Sequence, residues 1–447
     1  MSERAFIERP RAFCALGGAL QTVVALPKAV PILHSSMGCA ASIYYNQYGS
    51  TGYLGAGYCG GMAAPSSNVG EMEIVFGGVP RLREQIENTL KIVAGDLYVV
   101  LSGCTPDMIG DDIQSVVRDF GDVAPIIGVE TGGFRGDGYI GYDYVLQALI
   151  REYVKPQSRV DPHRVNLWGI VPGQDVFWRG NLSLLKAMLQ SIGLEVNTFF
   201  SDGATLDDLR NAGAAALNVI VSPRYGLGAA RVFERTHGTP FLSTHFPIGP
   251  SQSDRFLWAV GSAVGIDEQV IDKALSVHNR HYDFYIERLA DAFNDLDLQR
   301  FAVIVGDANY AVALTRFVTE DLGWLPYLTV VTDDLAANDQ ETFREALSGL
   351  QSGIENNLVF ETDASQIAVR FEALWPQANG QRHYNAFSPS FVLGSHLERQ
   401  FAKNIGAAHL SVSYPIGNRI VTSRGYAGYA GALTLIEDML TVIVAER

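Results

Sequence analysis

Short runs of aliphatic and β-branched residues alternate with helical patterns along the chain, which predicts an α/β protein of mainly parallel sheets flanked by helices. The alternation restarts twice, so the expected architecture is three Rossmann-like domains over residues 1–155, 156–299 and 300–447. The length of 447 residues agrees, because a single hydrophobic core seldom serves so long a chain.

The first unit opens with a small-residue helix over 15–26 and a buried strand at Val30–Leu33, and the turn at Gly38 leads into a second helix reaching about Tyr48. Residues 49–70, rich in Gly and Ser and without a period, read as loop, and so long a loop in a compact domain is usually functional. Leu82, Ile86, Leu90 and Val93 recur at helical spacing from Pro80 onward. Leu97–Leu101 is an apolar strand and Cys104 the turn after it. Ile109, Ile113, Val116, Val117 and Phe120 line the next helix, and Pro125–Val129 is a further strand.

The second unit reads as strand Val165–Val171, helix 177–192, strand Glu195–Phe199, helix Leu206–Ala212 and strand Leu217–Val221. A long acidic helical connector over 265–298 follows. The third begins with strand Phe301–Asp307 and a helix from Tyr310. Strands Tyr327–Thr332 and Leu358–Phe360 come next, and a helix over Ala430–Ala445 closes the chain.

A hydrophobic content of 47% with 18% charged residues describes a compact globular protein, and a net charge of −15 argues against a nucleic-acid partner. No signal-peptide pattern opens the chain, and no apolar run approaches the roughly 20 residues that span a bilayer. Four cysteines in such a length form no disulfide framework, so a cytoplasmic, reducing setting is expected, with no membrane.

All four cysteines, Cys14, Cys39, Cys59 and Cys104, fall in the first quarter of the sequence. Cys14, Cys39 and Cys104 each have glycine nearby and each sit at a loop-to-helix junction. There, exposed N–H groups and the helix dipole stabilise the thiolate that iron–sulfur clusters require. An inert buried hydrophobe is the ordinary role of one isolated cysteine and suits three in such settings less well. Either all four form a complete thiolate site, or three serve here and a partner supplies the rest. Spacings of 25 and 65 residues (14 to 39 to 104) match no compact zinc or ferredoxin pattern, so spacing does not decide the metal.

Thr131–Gly138 holds four glycines in eight positions after a strand, which suits either a tight surface turn or backbone pressed against a cluster. Gly306-Asp307-Ala308-Asn309 also follows a strand, but without a G-x-G-x-x-G it reads as architecture rather than a phosphate cradle. His34 is either a satisfied core histidine or a donor behind Cys39, and His396 and His409 read as surface or structural. Neither a Gly-x-Ser-x-Gly elbow nor a P-loop occurs, so hydrolytic chemistry is unsupported.

Several of these strings resemble the nitrogenase component 1 superfamily. His34-Ser35-Ser36-Met37-Gly38-Cys39 is similar to its His-Gly-Ser-Gln-Gly-Cys segment, and Ile74-Val75-Phe76-Gly77-Gly78 to its Val-Phe-Gly-Gly segment. Cys104-Thr105-Pro106-Asp107-Met108-Ile109-Gly110-Asp111-Asp112 resembles Cys-x-x-(Glu/Asp)-x-Ile-Gly-Asp-Asp and is the most specific match. Gly133-Phe134-Arg135-Gly136 and Gly428-Tyr429-Ala430-Gly431-Ala432 extend the resemblance over nearly the whole chain.

The resemblance implies three Rossmann-like domains and a cluster held between two related chains, with Cys14, Cys39 and Cys104 as its ligands from this one. That cluster is an electron relay, a P-cluster of the [8Fe-7S] type or a [4Fe-4S] form. Ser36, Gly132 and Gly133 would lie close to it, Phe76 would meet a homodimeric ATP-dependent iron protein, and Cys59 would be a non-ligand. The family's active-site metallocluster belongs to the α-type chain, through a mid-chain Cys and a late His. No cysteine follows position 104 here, which implies the β-type chain of a heterotetramer of two α and two β. A short start, Met37 and the glycine-rich 49–63 loop depart from molybdenum nitrogenase and point to a methylthio-alkane reductase cleaving carbon–sulfur bonds. Nitrogenase itself, a dark-operative tetrapyrrole reductase and a non-catalytic cofactor-assembly scaffold are the alternatives.

Overall fold

The computed structural model describes residues 6–11, 13–39, 64–289, 291–292, 301–350, 353, 356–374 and 391–445. The chain divides into two compact units, Ala12–Ser243 and Thr244–Arg447 with Met1–Arg11. The expected helix between 40 and 48, the glycine-rich 49–63 stretch with Cys59, and the end of the connector beyond 292 lie outside the described residues.

Two parallel sheets occupy the first unit. One takes the order β1-β2-β3 from Ala29–His34, Leu97–Ser102 and Ile126–Glu130. The other has the order β5-β4-β6-β7 from β4 Asp161–Trp168, β5 Glu195–Asn197, β6 Ala215–Ile220 and β7 Phe241–Ser243. The second unit holds one sheet, β10-β9-β8-β11-β12. Its strands are β8 Phe301–Gly306, β9 Leu325–Val331, β10 Asn357–Phe360, β11 Phe391–Gly394 and β12 Ala408–Ser411, again all parallel. Sheets covered by helices on both faces bury every side chain, which is why Leu97–Ser102 reads as an unbroken apolar run and is wholly buried.

The structure moves several expected boundaries. Helix Cys104–Ile109 is separate from Ile113–Phe120, because Gly110 adopts the left-handed conformation and Asp112 caps the second helix through Ser115 N–H. Within the expected connector over 265–298 the helix is Glu268–Ile286, and left-handed Gly265 divides it from a separate preceding helix, Pro250–Val264, that was not expected. Helix Gly138–Glu152 escaped a reading by period, since its glycines and tyrosines mask the apolar repeat. β11 and β12, with four residues each, are too short to show one.

The closing helix, Gly428–Ala445, corrects another expectation. By length and composition it could cross a membrane, although no run near that length was anticipated. Leu435, Ile436, Met439 and Ile443 are buried, and the helix packs on Glu268–Ile286 and β12 as a core helix does. The amino-terminal segment is tied into the same unit. Glu8 and Arg9 N–H groups donate to the Asp363 carboxylate, and buried Arg11 pairs with buried Glu398.

Candidate metal centre

The loops at the carboxyl ends of β1 and β2 carry Cys39 and Cys104, because parallel strands deliver their following loops to one edge, and Cys14 lies against the loop after β3. Cys14 immediately precedes helix Ala15–Ala25, and Cys104 is the first residue of its helix. Phe13–Ala15 is stitched to the loop after β3: Ala15 N–H donates to Gly136 O at 2.9 Å, and Gly138 N–H to Phe13 O at 2.7 Å. Helices Ala15–Ala25 and Gly138–Glu152 cross in backbone contact. A Cβ on Gly18 would fall 1.9 Å from Gly138 O, and one on Gly141 would fall 1.9 Å from Ala15 O. This crossing sets where Cys14 lies.

Gly133 is where two of the sulfurs converge. Its N–H donates to Cys104 Sγ at 3.0 Å. A Cβ at this position would stand 3.1 Å from Cys104 Sγ and 3.4 Å from Cys14 Sγ. A side chain would therefore wedge between the two thiols. Gly132 N–H donates to Asp107 at 3.2 Å, and the same carboxylate oxygen accepts Arg135 Nε–H at 2.7 Å. The other end of the guanidinium reaches Glu130 at 2.6 Å. Asp107, Glu130 and Arg135 thus hold the glycine turn, a role that was hidden in the sequence although Asp107 and Arg135 stand inside the quoted motifs.

Cys39 sits on the neighbouring strand's loop, with Ser36 Oγ 3.4 Å from its Sγ. Gly103 N–H donates to His34 O, and a Cβ on Gly103 would meet Ser35 Cβ at 2.6 Å, so the loops after β1 and β2 lie against each other. His34 is the satisfied core histidine. Its Nε2 is 3.0 Å from Asp111 and its Nδ1 2.9 Å from Ser67 Oγ. Burial pushes the imidazole below its ordinary pKa, against the hydrogen bond and charge of Asp111, and a neutral ring donates to Asp111 and accepts from Ser67. Asp111 also accepts Gly78 N–H at 2.9 Å, which ties the end of β1 to the Val-Phe-Gly-Gly turn.

Phe76 ends the short helix Glu71–Phe76 and is 76% exposed, with Val75 and Met72 exposed beside it in the chain. The three described cysteines form no disulfide, and among the described residues no three His, Cys, Asp or Glu side chains gather tightly enough to hold one metal ion. In the second unit, the Gly306–Asn309 turn is architecture. The Asp307 carboxylate accepts Asn309 and Tyr310 N–H, each at 3.0 Å, and Ala308 N–H goes to Asp333, so the donors a phosphate needs are already used. His409 Nε2 bonds to Ser395 O at 2.8 Å, in keeping with a structural part.

The family model for nitrogenase component 1 type oxidoreductase matches residues 14–444. The chain belongs to that family. A nitrogenase molybdenum-iron protein β chain of Methanococcus maripaludis is 24% identical over 484 aligned positions, covering 99% of this chain and 95% of the relative. A subunit of the light-independent protochlorophyllide reductase of Chloroflexus aggregans is 24% identical over 375 positions, covering 81% of this chain and 64% of the relative. Nitrogenase Cp1 at pH 6.5, a solved structure, superposes with a TM-score of 0.81 at 18% identity over 100% of this chain and 95% of its own, which establishes the shared fold. Subunits of two different oxidoreductases, one of them named a β chain, are therefore similar to this family member. Because the Methanococcus chain is matched over nearly its full length, a short start does not by itself separate this family member from chains of that name.

Proposed function

We propose that this family member is the β-type subunit of a nitrogenase-like reductase, with Cys14, Cys39 and Cys104 as thiolate ligands of an iron–sulfur cluster shared with an α-type chain. The observation that carries this reading is the convergence of Cys14 and Cys104 on Gly133. A pair of sulfurs around a residue without a side chain, and a third on the adjacent loop, suits a multi-atom cluster completed by another chain better than it suits one ion. When bound, such a cluster supplies one-electron relay between a reductase and an active-site metallocluster on the partner. This chain's residues do the rest. Gly133 N–H sets a donor against Cys104 Sγ, the Asp107–Arg135–Glu130 chain keeps the glycine turn in place, and Ser36 sets a hydroxyl against Cys39. Phe76 offers an apolar contact for an ATP-dependent iron protein. Cys59 is assigned no ligand role, and the proposed domains run over 1–155, 156–299 and 300–447.

The finer reading is reductive carbon–sulfur cleavage of small methylthio-alkanes in the cytoplasm, by a heterotetramer of two α and two β chains. Its support is Met37, an exposed apolar residue beside Ser36 where the resembling segment has glutamine. The match to chains named as nitrogenase favours a second reading, dinitrogen reduction. The test is turnover of the anaerobically purified complex with its partner chain, iron protein, ATP and reductant. Hydrocarbon and thiol from a small thioether, without appreciable ammonia from dinitrogen, is the expected result, and dominant ammonia selects the second reading. Neither product from an iron-loaded complex points to tetrapyrrole reduction or an assembly scaffold. Iron-free protein after strictly anaerobic isolation with its partner overturns the cluster itself.

A further inference from the structure

The second unit contains a cavity of about 1030 Å³ between helix Arg399–Asn404 and the edge strand β12. Arg399 and Lys403 stand four residues apart on that helix, so they share a face, and both are exposed. His396, His409, Gln400 and Asn418 complete its polar lining, and none of the described residues lining it is acidic. In a chain of net charge −15, a cavity lined by two cations and by no described carboxylate is a local reversal of field.

The neighbouring carboxylate does not cancel this charge. Glu398 is buried and committed to Arg11 and to the Ser395 N–H and hydroxyl. Among the described residues, neither Arg399 nor Lys403 makes an ion pair. Unpaired cations and amide groups are means by which proteins hold phosphate or carboxylate groups. The volume is that of a metabolite-sized site rather than of a single ion.

We infer that this cavity binds a small organic polyanion, one bearing phosphate or several carboxylates, through Arg399 and Lys403 with Asn418 in support. The site is remote in sequence from the cysteines and rests on none of their chemistry.

Calorimetric titration of the purified complex with pyrophosphate in one arm and citrate in the other, at low salt, tests this. Saturable binding of at least one is expected, weakened about tenfold or more in an Arg399→Ala/Lys403→Ala double variant and by added salt. The arm that saturates identifies phosphate or carboxylate chemistry. Both substitutions fall on exposed positions, so the melting temperature and iron content should be unchanged. The Cys104→Ser complex should bind the same anion equally well, which separates this inference from the cluster reading. No saturable heat in either arm, or equal affinity in the double variant, overturns it.

Discussion

The carboxyl edges of the first and last sheets are built alike and used differently. At the edge of β1-β2-β3, the loops bring sulfur atoms to a glycine and leave no side chain between them. Between β8 and β11 the turn groups are instead used from within: Asp307 holds the turn, Asp333 takes Ala308 N–H, and Arg11 closes on Glu398 and Ser395. The sheet order β10-β9-β8-β11-β12 reverses between β8 and β11, which is the usual place for a ligand crevice. The order β1-β2-β3 has no such reversal, and its open edge is made by the loops after its strands. Residue chemistry decides which one is open for a cofactor and which is sealed by internal hydrogen bonds.

The sharpest way to break this contrast is at the sulfurs. Cys104→Ser should lower iron per complex and cut turnover by about tenfold or more, because a hard oxygen replaces a thiolate, while Cys59→Ser should keep both. Equal iron content in the two variants would sink the ligand assignment.

On the sealed edge the expected effect is on stability alone. Burial opposes the ionisation of Glu398, but the Arg11 guanidinium and the Ser395 donors outweigh it and hold the carboxyl below its usual range. Arg11→Ala would leave that charge buried and unpaired, at a cost of about 3–5 kcal/mol in denaturant unfolding. Iron bound per folded complex should not change. A loss below about 1 kcal/mol would mean the pair is solvated.

Carboxylates in the second unit are not all alike, and Asp321 gives the pH signature. Burial pushes its carboxyl up to about 7, although Ser251 N–H and Oγ–H donate to it. Among the described residues no cation pairs with it as Arg11 pairs with Glu398. The folded state thus keeps a proton that the unfolded chain loses above its ordinary carboxylate range. The resulting penalty is absent below about pH 4 and grows by up to about 1.4 kcal/mol per pH unit until pH 7. Asp321→Asn should therefore raise the melting temperature at pH 8 and not at pH 4, and a gain independent of pH would refute the assignment.

The smallest effect belongs to the open edge. Phe76→Ala should raise the iron-protein concentration for half-maximal turnover about tenfold, leaving iron content and the saturated rate intact. Unchanged turnover at limiting reductase would remove Phe76 from the docking face.

Much of this was legible in the residues. Leu97–Leu101 and Phe301–Gly306 announce parallel, doubly covered strands because such strands are apolar throughout. Cys104 at a strand-to-helix turn announces itself for the same local reason. The Gly306–Asn309 turn reads as architecture from its local string, and in the structure Asp307 accepts from N–H groups two and three residues away.

What the sequence determined by itself was therefore the fold class, the cysteine-bearing segments and the resemblance to the family that the 14–444 match established. The tertiary structure alone decided which groups meet. Cys14 lies 90 residues before Cys104 (104 − 14), and the two are joined at Gly133 only through the Phe13–Gly138 stitch and the Gly18–Gly141 helix crossing. Asp107 with Arg135, His34 with Asp111, and Arg11 with Glu398 are likewise long-range pairs. No periodicity encodes such contacts, because they depend on how strands and helices pack rather than on what any one of them prefers.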